Sequence, residues 1–104
     1  MKTTREMVDN HLLITLDGRL DTIQSDSFEK EIGEVLAENH RQIVIDCSGL
    51  SYISSSGLRI LLTIQKRMMS SKGRLTLCSL QPAIREVFDM SGFSTIFTIT
   101  EECG

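Results

Sequence analysis

Residues 51–62 read SYISSSGLRILL, so three adjacent hydroxyls (Ser54, Ser55, Ser56) precede a glycine and a run with helical spacing. A serine at a helix start can do two things. As a cap, its oxygen accepts a first-turn amide, which is worth around 1 kcal/mol over alanine. As a phosphoacceptor, it would gain about 1.5 to 2 negative charges at pH 7. The unpaired amides and positive dipole end of the helix would hold that group. Taken alone, the stretch favours the cap, although three serines exceed what one cap needs.

Hydrolysis by one of these serines needs a base, and the sequence places none. The stretch is not G-x-S-x-G, and a triad requires a histidine. His11 falls near the start of a strand, and His40 in the turn before the central strand. At roughly 3.3 Å per strand residue, His40 lies well over 10 Å from the serines. Asp17, Asp21 and Asp46 read as turn or cap residues. The expectation is a protein without catalytic residues. Cys47, Cys78 and Cys103 form no C-x-x-C pair and sit near no histidine in sequence, so metal spacing is absent. Three is an odd number for a disulfide scaffold. Reduced thiols are expected, with Cys47 and Cys78 acting as small buried apolar groups.

The elements that would position these residues follow from patterning. TTREMV is a strand candidate, Asp9–Asn10 a turn, and HLLITLDG a second strand closed by Gly18, the two pairing as a hairpin. Phe28, Ile32, Val35 and Leu36 repeat at helical spacing, with Ser25 or Asp26 as cap and Asn39 as stop. Ile43, Val44 and Ile45 form an unbroken β-branched run, which predicts a strand covered on both faces and ending at Asp46. SGLSYIS then reads as a loop. A helix starting near Ser55 or Ser56 would bury Leu58, Leu61, Leu62, Ile64, Met68 and Met69 and end at Gly73. RLTLCSL is a strand. Pro82 opens a helix that turns Ile84, Val87, Phe88 and Met90 inward and stops at Gly92, and STIFTIT is the last strand. The order β-β-α-β-α-β-α-β predicts an α/β domain over residues 1–104, with a mixed, mainly parallel sheet, an antiparallel N-terminal edge and helices mostly on one face.

Composition excludes several classes. The chain has 104 residues, one-domain size, and a net charge of -3 with scattered basic residues. With no Trp and one Tyr it lacks the basic, aromatic groove of a nucleic-acid binder. No apolar run approaches the roughly 18 residues of a membrane span, and MKTTREMVDNH lacks a signal-peptide pattern. A cytoplasmic location is the default expectation, and a monomer the default state.

IVIDCSGLSYISSSGLRILL, together with GRLTLCSLQPAIREVFDMSGFSTIFTIT and the early GRLD at Gly18–Asp21, closely resembles the STAS domain of bacterial anti-sigma factor antagonists. The likeness runs over nearly the whole chain. It implies a module whose unphosphorylated form binds an anti-sigma factor that is also a serine kinase, so freeing a sigma factor. Phosphorylation switches binding off, and a PP2C-type phosphatase resets it. Nucleotide belongs to the kinase, so no cofactor and no metal are expected here. The family motif is Asp-Ser-Ser/Ala-Gly-Leu with the first serine modified. This aligns Ser55 with the acceptor, followed by Ser56, Gly57 and Leu58, with Ser54 and Ser56 as secondary acceptor candidates. The resemblance also implies partner contacts at Asp21, Ile53, Ser54, Ser56, Gly57 and Leu58, and a structural role for Asp46. In one departure, Ser54 stands where the motif has Asp. That departure motivates a second reading: a STAS accessory subunit of a lipid- or anion-transport complex that never cycles through phosphate.

Overall fold

The computed structural model describes residues 1–103. The elements are β1 (Lys2–Val8), β2 (His11–Leu20), α1 (Thr22–Ala37), β3 (Gln42–Ile53), α2 (Ser55–Ser70), β4 (Arg74–Cys78), α3 (Pro82–Ser91), a 3-10 turn at Phe93–Thr95 and β5 (Thr98–Thr100). They build one five-stranded sheet in the order β1-β2-β3-β4-β5. β1 runs antiparallel to β2, and every later neighbour is parallel. Spatial order follows chain order, so right-handed crossovers place every connecting helix on the same face. The expected α/β architecture is therefore the observed one.

Register explains the core. Leu12, Ile14 and Leu16 of β2 alternate with half-buried or exposed neighbours. They share one face with Ile43, Ile45 and Cys47 of β3 and with Leu75 and Leu77 of β4. Phe28, Ile32 and Val35 of α1 cover that face, with Ile60, Leu61, Ile64 and Met68 of α2 and Ile84 and Phe88 of α3. Burying each such side chain stabilises by about 1.5–3 kcal/mol. The other face carries Leu13, Thr15, Val44, Asp46, Thr76 and Cys78, and packs under no helix of the core.

Several local expectations are corrected. β2 does not close at Gly18 but continues to Leu20, through register shifts between Thr15 and Asp17 and between Gly18 and Arg19. β3 does not end at Asp46. The predicted SGLSYIS loop is mostly strand, because Gly49, Leu50, Tyr52 and Ile53 pair with Asp17, Gly18, Arg19 and Leu20. Asp46 is thus a mid-strand residue, its carboxylate accepting the Ser48 amide at 2.9 Å. Asp21, not Ser25 or Asp26, caps α1. α2 closes with Lys72 in the left-handed conformation, while Gly73 donates its amide to Met68 at 2.7 Å. Val87, Met90 and Met69 face outward rather than in, whereas α3 stops at Gly92 as expected, with that glycine left-handed. Only Thr98–Thr100 of STIFTIT is strand, since Phe93–Thr95 winds into the 3-10 turn. Gly104, the last residue of the polar EECG segment, lies outside the described residues.

The cysteines also differ from expectation. Cys78 and Cys103 form a disulfide, with Cα atoms 5.1 Å apart, and Cys47 is the buried free thiol. Closing a separation of 25 residues restricts the unfolded chain by about 3–4 kcal/mol in the chain-entropy picture. Burial, aided by the Asp46 charge, pushes the Cys47 thiol up to about 12. The unfolded thiol ionises first, so stability from this group is complete below about pH 9 and falls as pH rises towards 12. Cys47 is therefore expected to resist iodoacetamide at pH 8 in the folded protein and to react once denaturant is added. Fast labelling of the folded protein, followed by mass spectrometry, would contradict its placement.

Candidate functional site

The site forms where β2 and β3 end side by side. Leu20 and Ile53 are register partners, and the Ser54 amide donates to the Leu20 carbonyl at 2.9 Å. Each strand turns directly into a helix, so α1 and α2 start next to each other. Asp21 caps α1 by accepting the Gln24 amide at 2.8 Å. Ser54 caps α2 with extended backbone, its Oγ accepting the Gly57 amide at 3.1 Å. Aspartate and serine are equally good at this job.

The three serines separate by role. Ser54 is buried and its hydroxyl is committed to the cap. Ser55, the first helical residue, is exposed, and Ser56 is half-buried. The amides of Ser55 and Ser56 belong to the first turn, which has no intrahelical acceptors. Gly57 is buried for a steric reason. A Cβ there would come within 2.8 Å of Leu20 Cγ and 3.0 Å of Ile53 Cγ1. The absent side chain lets α2 sit on the strand ends.

Two depressions flank the start of α2. One, about 260 Å³, is lined by Ser55, Leu58, Arg59, Leu62 and Phe93. The other, about 170 Å³, lies between the helices and is lined by Ser25, Asp26, Glu29, Ser56, Arg59 and Ile60. Arg59 borders both, is exposed, and forms no ion pair among the described residues. On a helix it is four residues from Ser55 and on the same side. Sequence reasoning did not single it out, although the Ser55–Arg59 spacing was the available signal. Tyr52 and Arg19 add a cation–π contact at 4.3 Å beside the site, also unanticipated.

Of the expected partner-binding residues, Asp21, Ser56 and Leu58 keep exposed surface, while Ile53, Ser54 and Gly57 are buried. Ile53 packs under Gly57 in the core rather than bordering the surface, because β3 runs on to that point. Asp46 lies on the helix-free face, near Cys78 and Cys103 rather than Ser55. His40 sits at the opposite pole and contacts Glu38 at 2.7 Å.

The STAS domain profile matches residues 2–103. The chain belongs to the STAS domain family, among the anti-sigma factor antagonists. The Bordetella bronchiseptica protein BtrV, named as a candidate anti-sigma factor antagonist, is 37% identical over 99 residues, covering 95% of this chain and 85% of BtrV. The anti-sigma factor antagonist SpoIIAA in its unphosphorylated form superposes with a TM-score of 0.81 at 25% identity, over 97% of this chain and 90% of its own. SpoIIAA from Bacillus in its phosphorylated form gives 0.75 at 25% identity, over 97% and 93%. A Thermotoga maritima protein of the same description shares the fold, with a TM-score of 0.92 at 20% identity over 97% and 87%. The family is one of regulatory binding proteins, and among the described residues no helix is long and apolar enough to cross a membrane.

The cap and the close contact give separable effects. Ser54→Ala is expected to cost about 1 kcal/mol in urea unfolding. Gly57→Ala should cost about 1–3 kcal/mol, because the new methyl meets Leu20 and Ile53. If Gly57→Ala left the midpoint unchanged, α2 would not be seated as described.

Proposed function

We propose that this STAS domain is an anti-sigma factor antagonist switched by phosphate at Ser55. The unphosphorylated form binds an anti-sigma factor with serine kinase activity and releases a sigma factor. Phosphorylation ends that binding, and a PP2C-type phosphatase restores it. The observation that carries this reading is that Ser55, the first residue of α2, is exposed, beside a cap that Ser54 supplies separately. Ser55 can accept a phosphate without the helix losing its start.

Charge supplies the mechanism. A phosphate there sits on the positive end of α2, and Arg59 one turn on is a natural counter-ion. The groove of Leu58, Leu62 and Phe93 next to Ser55 offers apolar surface for a partner. Two added negative charges at its edge would have to be desolvated on docking, which opposes binding. The SpoIIAA structures in unphosphorylated and phosphorylated forms support the same switch by likeness.

The replacement of the motif aspartate by Ser54 does not favour the accessory-subunit reading. Ser54 performs the capping that an aspartate would perform, so the helix start is kept. Its burial also makes it a poorer acceptor than Ser55.

Incubation with an anti-sigma factor kinase from the same genome and Mg-ATP is expected to place phosphate on Ser55, mapped by mass spectrometry. Phosphate found only outside residues 54–56 would overturn the assignment. In calorimetry against the unphosphorylated partner, Ser55→Ala should bind like wild type. Ser55→Asp should bind at least about tenfold more weakly, a difference of about 1.4 kcal/mol. Equal affinities for the two variants would remove charge as the basis of the switch.

A further inference from the structure

We propose that Cys78 and Cys103 form a reversible thiol–disulfide exchange site that clasps the β5 edge to the sheet and is opened by small thiols. Cys78 is fully buried at the end of β4, on the helix-free face, and Cys103 is partly exposed. Beyond β5, residues 101–103 fold back over the end of β4. The Ser79 amide donates to the Thr100 carbonyl at 3.1 Å, and Ser79 Oγ donates to the Glu101 carbonyl at 3.1 Å. The two residues thus differ in exposure, which directs attack to Cys103.

A small thiolate attacks Cys103 Sγ, forming a mixed disulfide there as the Cys78–Cys103 bond breaks. The electron pair leaves on Cys78 Sγ, which takes a proton from water. A second small thiolate attacks the mixed disulfide, leaving Cys103 reduced and the two small thiols joined as their own disulfide. The protein gains two electrons, and a low-molecular-weight disulfide closes the clasp by the reverse steps. Cys47 takes no part. It lies on the opposite face of the sheet, fully buried within the core, so it cannot form an alternative pair.

The clasp matters because the segment it holds is otherwise lightly fastened. β5 pairs with β4 through three residues, Thr98, Ile99 and Thr100. The preceding turn is held by Gln65 Nε2 donating to the Ile96 carbonyl at 2.7 Å and by Phe97, whose ring meets Phe88 and Phe93 at 5.5 and 6.3 Å. Phe93 lines the groove beside Ser55. Opening the clasp therefore loosens β5 and, through Phe97, the Phe93 wall. The effect on a partner rests on the groove being the docking surface proposed above; the exchange site itself does not. In thiol-rich compartments, disulfides that do form are typically transient or sensing.

Hydrogen exchange read by mass spectrometry tests this on the whole chain, without any partner. The oxidised protein should be two hydrogens lighter than the glutathione-reduced protein, with one free thiol rather than three. On reduction, amides of residues 96–100 should exchange at least about tenfold faster, while those of β2 and β3 keep their protection. Cys103→Ser, at the accessible position, should match the reduced protein in either buffer and so guards against a misfolded Cys78 variant. Three free thiols after treatment with oxidised glutathione would overturn the proposal, as would equal exchange in both states. Asp46 lies within 4.8 Å of both sulfurs, so zinc retained by the reduced protein with residues 96–100 still protected would replace the clasp with a metal site. Mapping phosphate in both redox states keeps the two readings apart, because an unmodified Ser55 leaves the exchange result standing.

Discussion

The hydrogen bond from the Ser54 amide to the Leu20 carbonyl joins the ends of the two longest strands. Everything at this pole depends on that junction. It fixes Asp21 and Ser54 as neighbouring caps, so two helices leave the sheet from one place with their positive ends together. It also puts Leu20 and Ile53 under Gly57, where α2 touches the strands with no side chain between. A bulkier residue at position 57 would lift the helix, and Ser55 and Arg59 would move with it.

The order of elements is legible because the central ones carry either a helical period or an unbroken β-branched run. Ile43, Val44 and Ile45 mark a buried strand, although helices cover only the face of Ile43 and Ile45, and Phe28, Ile32 and Val35 mark a helix face. The extension of β3 was not legible. Ser48, Gly49 and Ser51 have the composition of a loop, yet β2 accommodates them through its irregular register around Asp17 and Gly18. That pairing is a tertiary fact with no local pattern. The cap of α1 was misplaced for a related reason: the helix starts three residues before its first buried position, Ser25.

At the site, the sequence named the right stretch but could not divide its labour. Cap and candidate acceptor are adjacent serines, and only the backbone shows that Ser54 turns its oxygen inward to Gly57 while Ser55 faces out. Ile53 is a partner contact only by resemblance, and it lies within the stretch that reads as a loop; once β3 is extended, the same residue falls in the core. The bond between Cys78 and Cys103 was hidden for want of any spacing rule. One cysteine ends a central strand and the other follows an edge strand, and only the return of residues 101–103 over β4 brings them together.

The locked first turn of α2 has a consequence for how information could pass through it. Ser54 is tied at both its amide and its oxygen, and Gly57 has no room to shift towards the strands. A modification one residue into that turn finds a platform without slack. The two states would then share one backbone outline and differ by the added group, its charge and its acceptor oxygens. An enzyme adding the group and an enzyme removing it would meet the same helix start, held in one place.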